Sequence, residues 1–159
     1  MEKDFINIIK DNEGIIYKIT MLYGDSKEDK EDLYQEIVFQ LWKSFKNFKN
    51  QSKISTWLYK VALNTALTHI KKEKKKINQI SFDSSLLQVM DIKDSQLEEQ
   101  IQLLYKHIKQ LNSVERGIIL LFLENHSHKE IAAITGFSTS NIGTRIGRIK
   151  EKLKTQMLK

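Results

Sequence analysis

"KEIAAITGFSTSNIGTRIGRIKEKLK", residues 129–154, decides the fold of the C-terminal part of the chain. Ala132, Gly136 and Ile142 stand in the order A-x3-G-x5-I, the spacing of a helix-turn-helix. Each position has a mechanical reason. Ala132 is small because the second helix crosses close above it. Gly136 takes the left-handed backbone that a sharp turn demands. Ile142 plugs the second helix onto the first. On that second helix Ile142, Ile146, Ile149 and Leu153 form a stripe for burial. Asn141, Arg145, Arg148 and Lys152 form another by the same spacing, polar and basic. Ser138, Thr139 and Ser140 at the helix head suit base edges and phosphates in a major groove. A hairpin that only packs fits many of the same residues, but the matching Ala, Gly and Ile favour DNA. Gly143 and Gly147 each cost about 1 kcal/mol of helix propensity and bring no basic side chain.

Outward from that stretch, the rest of the chain also reads as helical. The 159 residues contain no proline, and apolar residues recur at intervals of three and four almost throughout. The expected fold class is all-α. There is no cysteine, hence no disulfide frame, thiolate metal site or cysteine nucleophile. No apolar run approaches a membrane span, and the N-terminal "MEKDFINIIKDNEG" carries acids where a signal peptide would be basic. A cytoplasmic protein with no membrane insertion is expected.

Charge is unevenly spread. Residues 1–42 hold 5 Lys against 10 acids, and residues 43–76 hold 10 Lys against 1 Glu. Residues 77–98 hold 1 Lys against 4 acids, and residues 99–159 hold 10 Lys and Arg against 5 acids. Two basic blocks, each preceded by an acidic one, suggest two contacts with a polyanion. Solvated helix faces fit the same composition.

The periodicity marks two small helical domains, 1–76 and 96–159, joined by an acidic linker at 77–95. In the first, Phe5, Ile8, Ile9, Ile15, Ile16, Ile19 and Leu22 make an amphipathic pattern broken by "DNEG". Ser26 or Asp25 caps a helix over 29–48 whose stripe is Leu33, Ile37, Leu41, Phe45 and Phe48. A third helix runs from about Ser55 to Lys75. In the second domain Leu97, Ile101, Leu104, Ile108 and Leu111 share a face. "NS" at 112–113 then caps a helix with Val114, Ile118, Leu121 and Phe122 inward.

The third helix, "STWLYKVALNTALTHIKKEKKK" at 55–76, has two sides. Trp57, Lys60, Asn64, Thr68, Lys71 and Lys75 fall within an arc of about 80°. Leu58, Ala62, Ala66 and Ile70 lie elsewhere and can face a core. Duplex DNA uses lysines, but unpaired bases use aromatics to stack on and amides to bond to their edges. For the indole alone, a core tryptophan at a helix start is the better-fitting reading of Trp57. The helix before it, in "EDKEDLYQEIVFQLWKSF", sets Asp32, Gln35, Glu36 and Gln40 beside its apolar stripe, with Phe39 and Trp42 left over. An acidic face with spare aromatics suits a basic protein partner. A solvated face fits the same composition.

These stretches, in this order, resemble an extracytoplasmic-function (ECF) sigma factor of the sigma-70 family, over nearly the whole chain. "EDLYQEIVFQLWKSFKNF" is similar to the family's D-L-x-Q-E-x-F-x-x-x-W segment in region 2. "STWLYKVALNTALTHIKK" resembles its W-L-[YF]-x-I-A-x-N segment, and "HSHKEIAAITGFSTSNIGTRIGRIKEKLK" resembles region 4. The resemblance implies an RNA polymerase sigma factor that selects promoters and aids their melting. Asp32, Gln35, Glu36 and Trp42 would bind the polymerase clamp. Lys53, Thr56, Trp57, Lys60, Asn64, Thr68, Lys71 and Lys72 would hold the −10 element and its unpaired strand. Ser138, Thr139, Ser140, Asn141, Thr144, Arg145 and Arg148 would enter the major groove at the −35 element. Core RNA polymerase and promoter DNA are the implied partners, with an anti-sigma factor as a further one. No metal or cofactor is implied. Thr68 stands where the family has Asp or Asn, Asn112 where it has Pro, and Asn141 where it has Thr.

Two rivals bear on this reading. A stand-alone helix-turn-helix regulator explains residues 113–155 but leaves the first domain without a task. An enzyme has little to work with. His69, His107, His126 and His128 are the only imidazoles, no acid joins them at metal-ligand spacing, and there is no phosphate-cradling glycine loop.

Overall fold

The computed structural model describes residues 2–48, 52–79 and 96–158. Among these there are eight α-helices and no strand. Contacts divide the chain into two compact units, Met1–Met90 and Asp91–Lys159. The expected all-α, two-unit architecture is what is observed. Residues 80–95, most of the expected linker, lie outside the described residues.

The first unit holds α1 (Glu2–Asp11), α2 (Glu13–Tyr23), α3 (Lys27–Phe45) and α4 (Ile54–Gln79). The break foreseen at "DNEG" falls at Asn12, whose side-chain amide donates to Ile8 O at 2.8 Å and ends α1. Gly24 closes α2 through its N–H to Thr20 O. A Cβ there would lie 2.6 Å from Lys30 Cγ and 3.0 Å from Thr20 O, so glycine is needed for room. Ser26, the first of the two foreseen caps, accepts from Asp29 N at 3.0 Å. Helices α2, α3 and α4 all pack on one another, and α1 lies against α2 and α3. Ile16, Ile19, Leu22, Leu33, Ile37, Leu41, Leu58, Ala62 and Ala66 are wholly buried between them.

Two boundaries differ from the sequence reading. Helix α3 ends at Phe45, and Phe48 lies beyond it with its ring 4.9 Å from that of Trp57. Helix α4 runs to Gln79, past the end expected at about Lys75.

The second unit holds α5 (Gln96–Lys109), α6 (Ser113–Leu123), α7 (His128–Thr135) and α8 (Thr139–Met157). Asn112 caps α6 in a full capping box. Its Oδ1 accepts from Glu115 N at 2.8 Å, and Glu115 Oε1 accepts from Asn112 N at 3.2 Å. Helix α6 then ends in a Schellman arrangement, His126 N–H to Leu121 O and Asn125 N–H to Phe122 O. Asn125 sits at φ 67°, the left-handed region that asparagine tolerates better than most side chains. Gly136, at φ 87°, makes the turn between α7 and α8 as the sequence predicts. Ile118, Leu121, Ile131, Ile142 and Ile149 form the wholly buried centre. Ile101 was expected inward on the stripe of α5, but it is exposed. Only the C-terminal end of that stripe, Ile108 and Leu111, is buried among the described residues. The side chain of Leu97 lies outside the described residues.

Candidate nucleic-acid and protein interfaces

On α4 the two-sided reading holds. Leu58, Tyr59, Ala62, Leu63 and Ala66 are buried, while Lys60, Asn64, Thr68, Lys71 and Lys72 are exposed along the other side. The side chain of Lys75 lies outside the described residues. Thr68 Oγ1 donates to Asn64 O at 3.0 Å, which leaves that hydroxyl as an acceptor towards solvent. Lys53 is exposed just before the helix, and its carbonyl accepts from Trp57 N. Thr56 is half-buried. Trp57 combines the two alternatives left open by the sequence. It is half-buried, its ring 6.2 Å from Phe45 and 4.9 Å from Phe48, so it anchors the head of α4 while keeping part of the indole in solvent. His69 ties α4 to the start of α3, with Nε2 2.7 Å from Asp29 Oδ1.

On α3, Asp32 and Gln35 are exposed, and half-buried Glu36 accepts from Gln40 Nε2 at 3.0 Å. Beside them runs an open apolar groove of about 500 Å³, lined by Phe5, Ile6, Tyr34, Val38, Phe39 and Trp42. Phe39 is 53% exposed, with the Lys43 ammonium 5.5 Å from its ring. Trp42 is partly exposed and meets Phe5 edge-on, centroids 5.0 Å apart. Burial raises the Tyr34 phenol above its usual pKa, and the Glu13 carboxylate adds to this, so the group remains a neutral hydrogen-bonding phenol at ordinary pH. The share of α1 in this face was not legible. Phe5 reads as one more core residue in an amphipathic pattern, and only the fold brings it under Trp42.

On α8 the buried stripe is as expected, Ile142, Ile146, Ile149 and Leu153. Ser138, Thr139, Ser140, Asn141, Thr144 and Arg148 are exposed, and Arg145 is half-buried. Ser138 Oγ caps the helix by accepting from Asn141 N at 3.1 Å. Thr144 Oγ1 donates to Ser140 O at 3.2 Å. Arg145 Nε donates to Asn141 Oδ1 at 2.5 Å, and its guanidinium lies 4.1 Å from the Phe137 ring centroid. Lys152 departs from the basic stripe. Its ammonium donates to Glu115 Oε2 at 2.6 Å. Gly143 turns towards α7, where a Cβ would stand 3.6 Å from His128 Nδ1, so a side chain there would meet protein first. A second apolar groove, of about 420 Å³, opens among Leu104, Ile119, Phe122, Leu153 and Met157, with Lys150 and Lys154 at its edge. Among the described residues no cluster of His, Cys, Asp or Glu could hold a metal ion, and no helix is long and apolar enough to cross a membrane.

A helical unit with an acidic face on α3 and a basic one on α4, followed by a helix-turn-helix unit with a basic outward helix, has the features of the DNA-binding class of transcription proteins. Comparison with known proteins narrows the class. Residues 8–76 match the model of Sigma-70 region 2, and residues 101–153 match that of Sigma-70, region 4. The RNA polymerase sigma factor SigV of Bacillus subtilis (strain 168) is 28% identical over 160 residues, covering 97% of this chain and 91% of the relative. The ECF RNA polymerase sigma-E factor of Escherichia coli (strain K12) is 26% identical over 141 residues, covering 81% and 74%. Two solved structures share the fold. The sigma factor RpoE in complex with the anti-sigma factor NepR, from Bartonella quintana, has a TM-score of 0.80 at 20% identity, covering 98% of this chain and 97% of that one. CnrH in complex with the cytosolic domain of CnrY has a TM-score of 0.71 at 17% identity, covering 99% and 89%. The chain belongs to the sigma-70 family, in its extracytoplasmic-function group. Proteins of this family are in general regulatory rather than enzymatic.

Proposed function

We propose that this RNA polymerase sigma factor divides its work between the two units. Residues 1–76 act as region 2. Asp32, Gln35, Glu36 and Trp42 take up the polymerase clamp, and the residues from Lys53 to Lys72 on the exposed side of α4 hold the −10 element and its unpaired strand. Residues 96–159 act as region 4, with Ser138 to Arg148 in the major groove at the −35 element. Residues 77–95 bridge the two inside the polymerase. Opening the duplex draws on binding energy to the unpaired strand, a few kcal/mol for each base taken from the stack, so no catalysis and no ATP are invoked. The protein acts in the cytoplasm. The complexes of RpoE with NepR and of CnrH with CnrY support an anti-sigma factor as a further partner of this chain.

The observation that carries this reading is the pairing within one unit of an acidic, aromatic face on α3 and an exposed Lys-Asn-Thr-Lys strip on α4. A stand-alone helix-turn-helix regulator has use for neither, and the match to region 2 disfavours it further. The test is to mix the purified chain with bacterial core RNA polymerase and follow its tryptophan fluorescence on a sizing column. Co-elution as a stoichiometric complex supports the proposal. A chain that elutes alone at low salt, yet still shifts duplex DNA, is a free regulator, and the roles given to Asp32, Glu36 and Trp42 fall with it.

A further inference from the structure

Arg145 is held from two sides. Its Nε donates to Asn141 Oδ1 at 2.5 Å, one turn back on α8, and the Phe137 ring lies 4.1 Å from its Cζ. A guanidinium is a planar fork with five N–H donors, and it stacks well on aromatic faces. With Nε committed to Asn141 and the Phe137 ring against the guanidinium at 4.1 Å from Cζ, the terminal NH2 groups are the part left to meet a ligand. Two N–H groups side by side match O6 and N7 of guanine in the major groove, the commonest specific contact of an arginine with DNA. An unsupported arginine on a helix surface loses much rotamer freedom when it makes such a contact. Here that ordering is largely done before DNA arrives.

We infer that Phe137 is a positioning residue for base recognition: with Asn141 it fixes the Arg145 guanidinium edge-out to read one guanine, and so sets sequence preference without being a DNA-contacting side chain itself. This rests on the reading of α8 as the recognition helix. There is also a plain structural role for Phe137. It precedes the N-cap Ser138, where an apolar side chain commonly packs on the first turns of the helix. Any apolar residue fills that role, whereas only an aromatic ring offers a face to the guanidinium. Substitution by leucine therefore separates the two.

The experiment uses the full chain bound to core polymerase. Duplexes preferred by the unaltered protein are selected from a pool randomised upstream of a fixed −10 element. Affinities are then measured with each selected G·C pair changed in turn to A·T, and with guanine replaced by 7-deazaguanine, which lacks N7. One position should show discrimination of about tenfold or more, sensitive to the missing N7. Phe137→Leu should lower discrimination at that position several-fold and leave the other positions and the salt dependence alone. Phe137→Tyr should retain it. Asn141→Ala, which removes the other restraint, should lower it at the same position. The inference is overturned if Phe137→Leu leaves discrimination intact, or if it weakens every position equally together with a lower melting temperature. If the unaltered protein shows no preference upstream at all, the recognition-helix reading fails first and takes this inference with it.

Discussion

Lys152 on α8 donates to Glu115 on α6 at 2.6 Å, and the other carboxylate oxygen of Glu115 closes the capping box on Asn112. One nearly buried carboxylate thus joins the start of α6 to the far half of α8, 37 residues away. A lysine that helical spacing sets in line with Arg145 and Arg148 is paired with a carboxylate of its own chain, although its side chain remains 53% exposed.

From this follows a contrast between neighbours on one stripe. Glu115→Ala removes the box and the pairing with Lys152, whose ammonium then returns to water, and should cost about 1–2 kcal/mol in urea unfolding. Lys152→Ala should likewise lower stability, while leaving the salt dependence of DNA binding nearly unchanged. Arg148→Ala should do the reverse, reducing the slope of log affinity against log salt by about 1 at little cost in stability. Equal salt slopes for the two variants would show that Lys152 reaches phosphate after all.

Glycines 136 and 147 should respond in opposite directions to the same substitution. Gly136 sits at φ 87°, so Gly136→Ala forces a left-handed alanine and should destabilise by about 1–2 kcal/mol. Gly147 is inside α8 with nothing within 4 Å of an added Cβ, so Gly147→Ala should stabilise by about 0.5–1 kcal/mol. Thermal unfolding of the two variants side by side checks both signs.

The contrast also marks what was legible in the sequence. Local chemistry was readable. Ser26 and Asn112 announce their caps, and Ala132, Gly136 and Ile142 announce the turn, because the partners lie within a few residues. Helical spacing also gave the two sides of α4 and the buried stripe of α8. It gave the angle of Lys152 around its helix but not the Glu115 that α6 would set beside it. It placed Ile101 on an apolar face without saying what covers that face. Asn125 carries a left-handed turn that many sequences make with glycine, so its signal was weak. Phe5 beneath Trp42, and Phe137 beneath Arg145, are fixed by ring geometry, which spacing does not report.

Asn64 should separate opening from binding. It projects from the exposed side of α4 with Lys60 and Lys71 and is not part of the core. If it bonds an unpaired base, Asn64→Ala should lower open-complex yield by roughly two- to tenfold, the worth of one net hydrogen bond. Assembly with core polymerase should be unaffected. Permanganate reactivity of promoter thymines, read beside a sizing-column assay, gives both quantities, and equal loss in both would remove Asn64 from the strand-binding role.

The face of α3 offers a charge test and a shape test. Glu36 is half-buried, and its one described hydrogen bond is to Gln40 in its own helix, so Glu36→Lys should fold normally. Its reversed charge should repel a basic partner and weaken assembly with core polymerase by tenfold or more, about 1.4 kcal/mol. The effect should be greatest at low salt, where exposed charges are least screened. Trp42→Ala acts differently. It removes an aromatic lip of the groove and the edge contact with Phe5, so it should weaken assembly without a salt dependence and also lower the melting temperature. Competition for core polymerase at two salt concentrations, with melting curves for each variant, distinguishes them. Should Glu36→Lys assemble as well as the unaltered protein at low salt, the acidic part of this face is a solvated surface, and the groove alone would carry the docking.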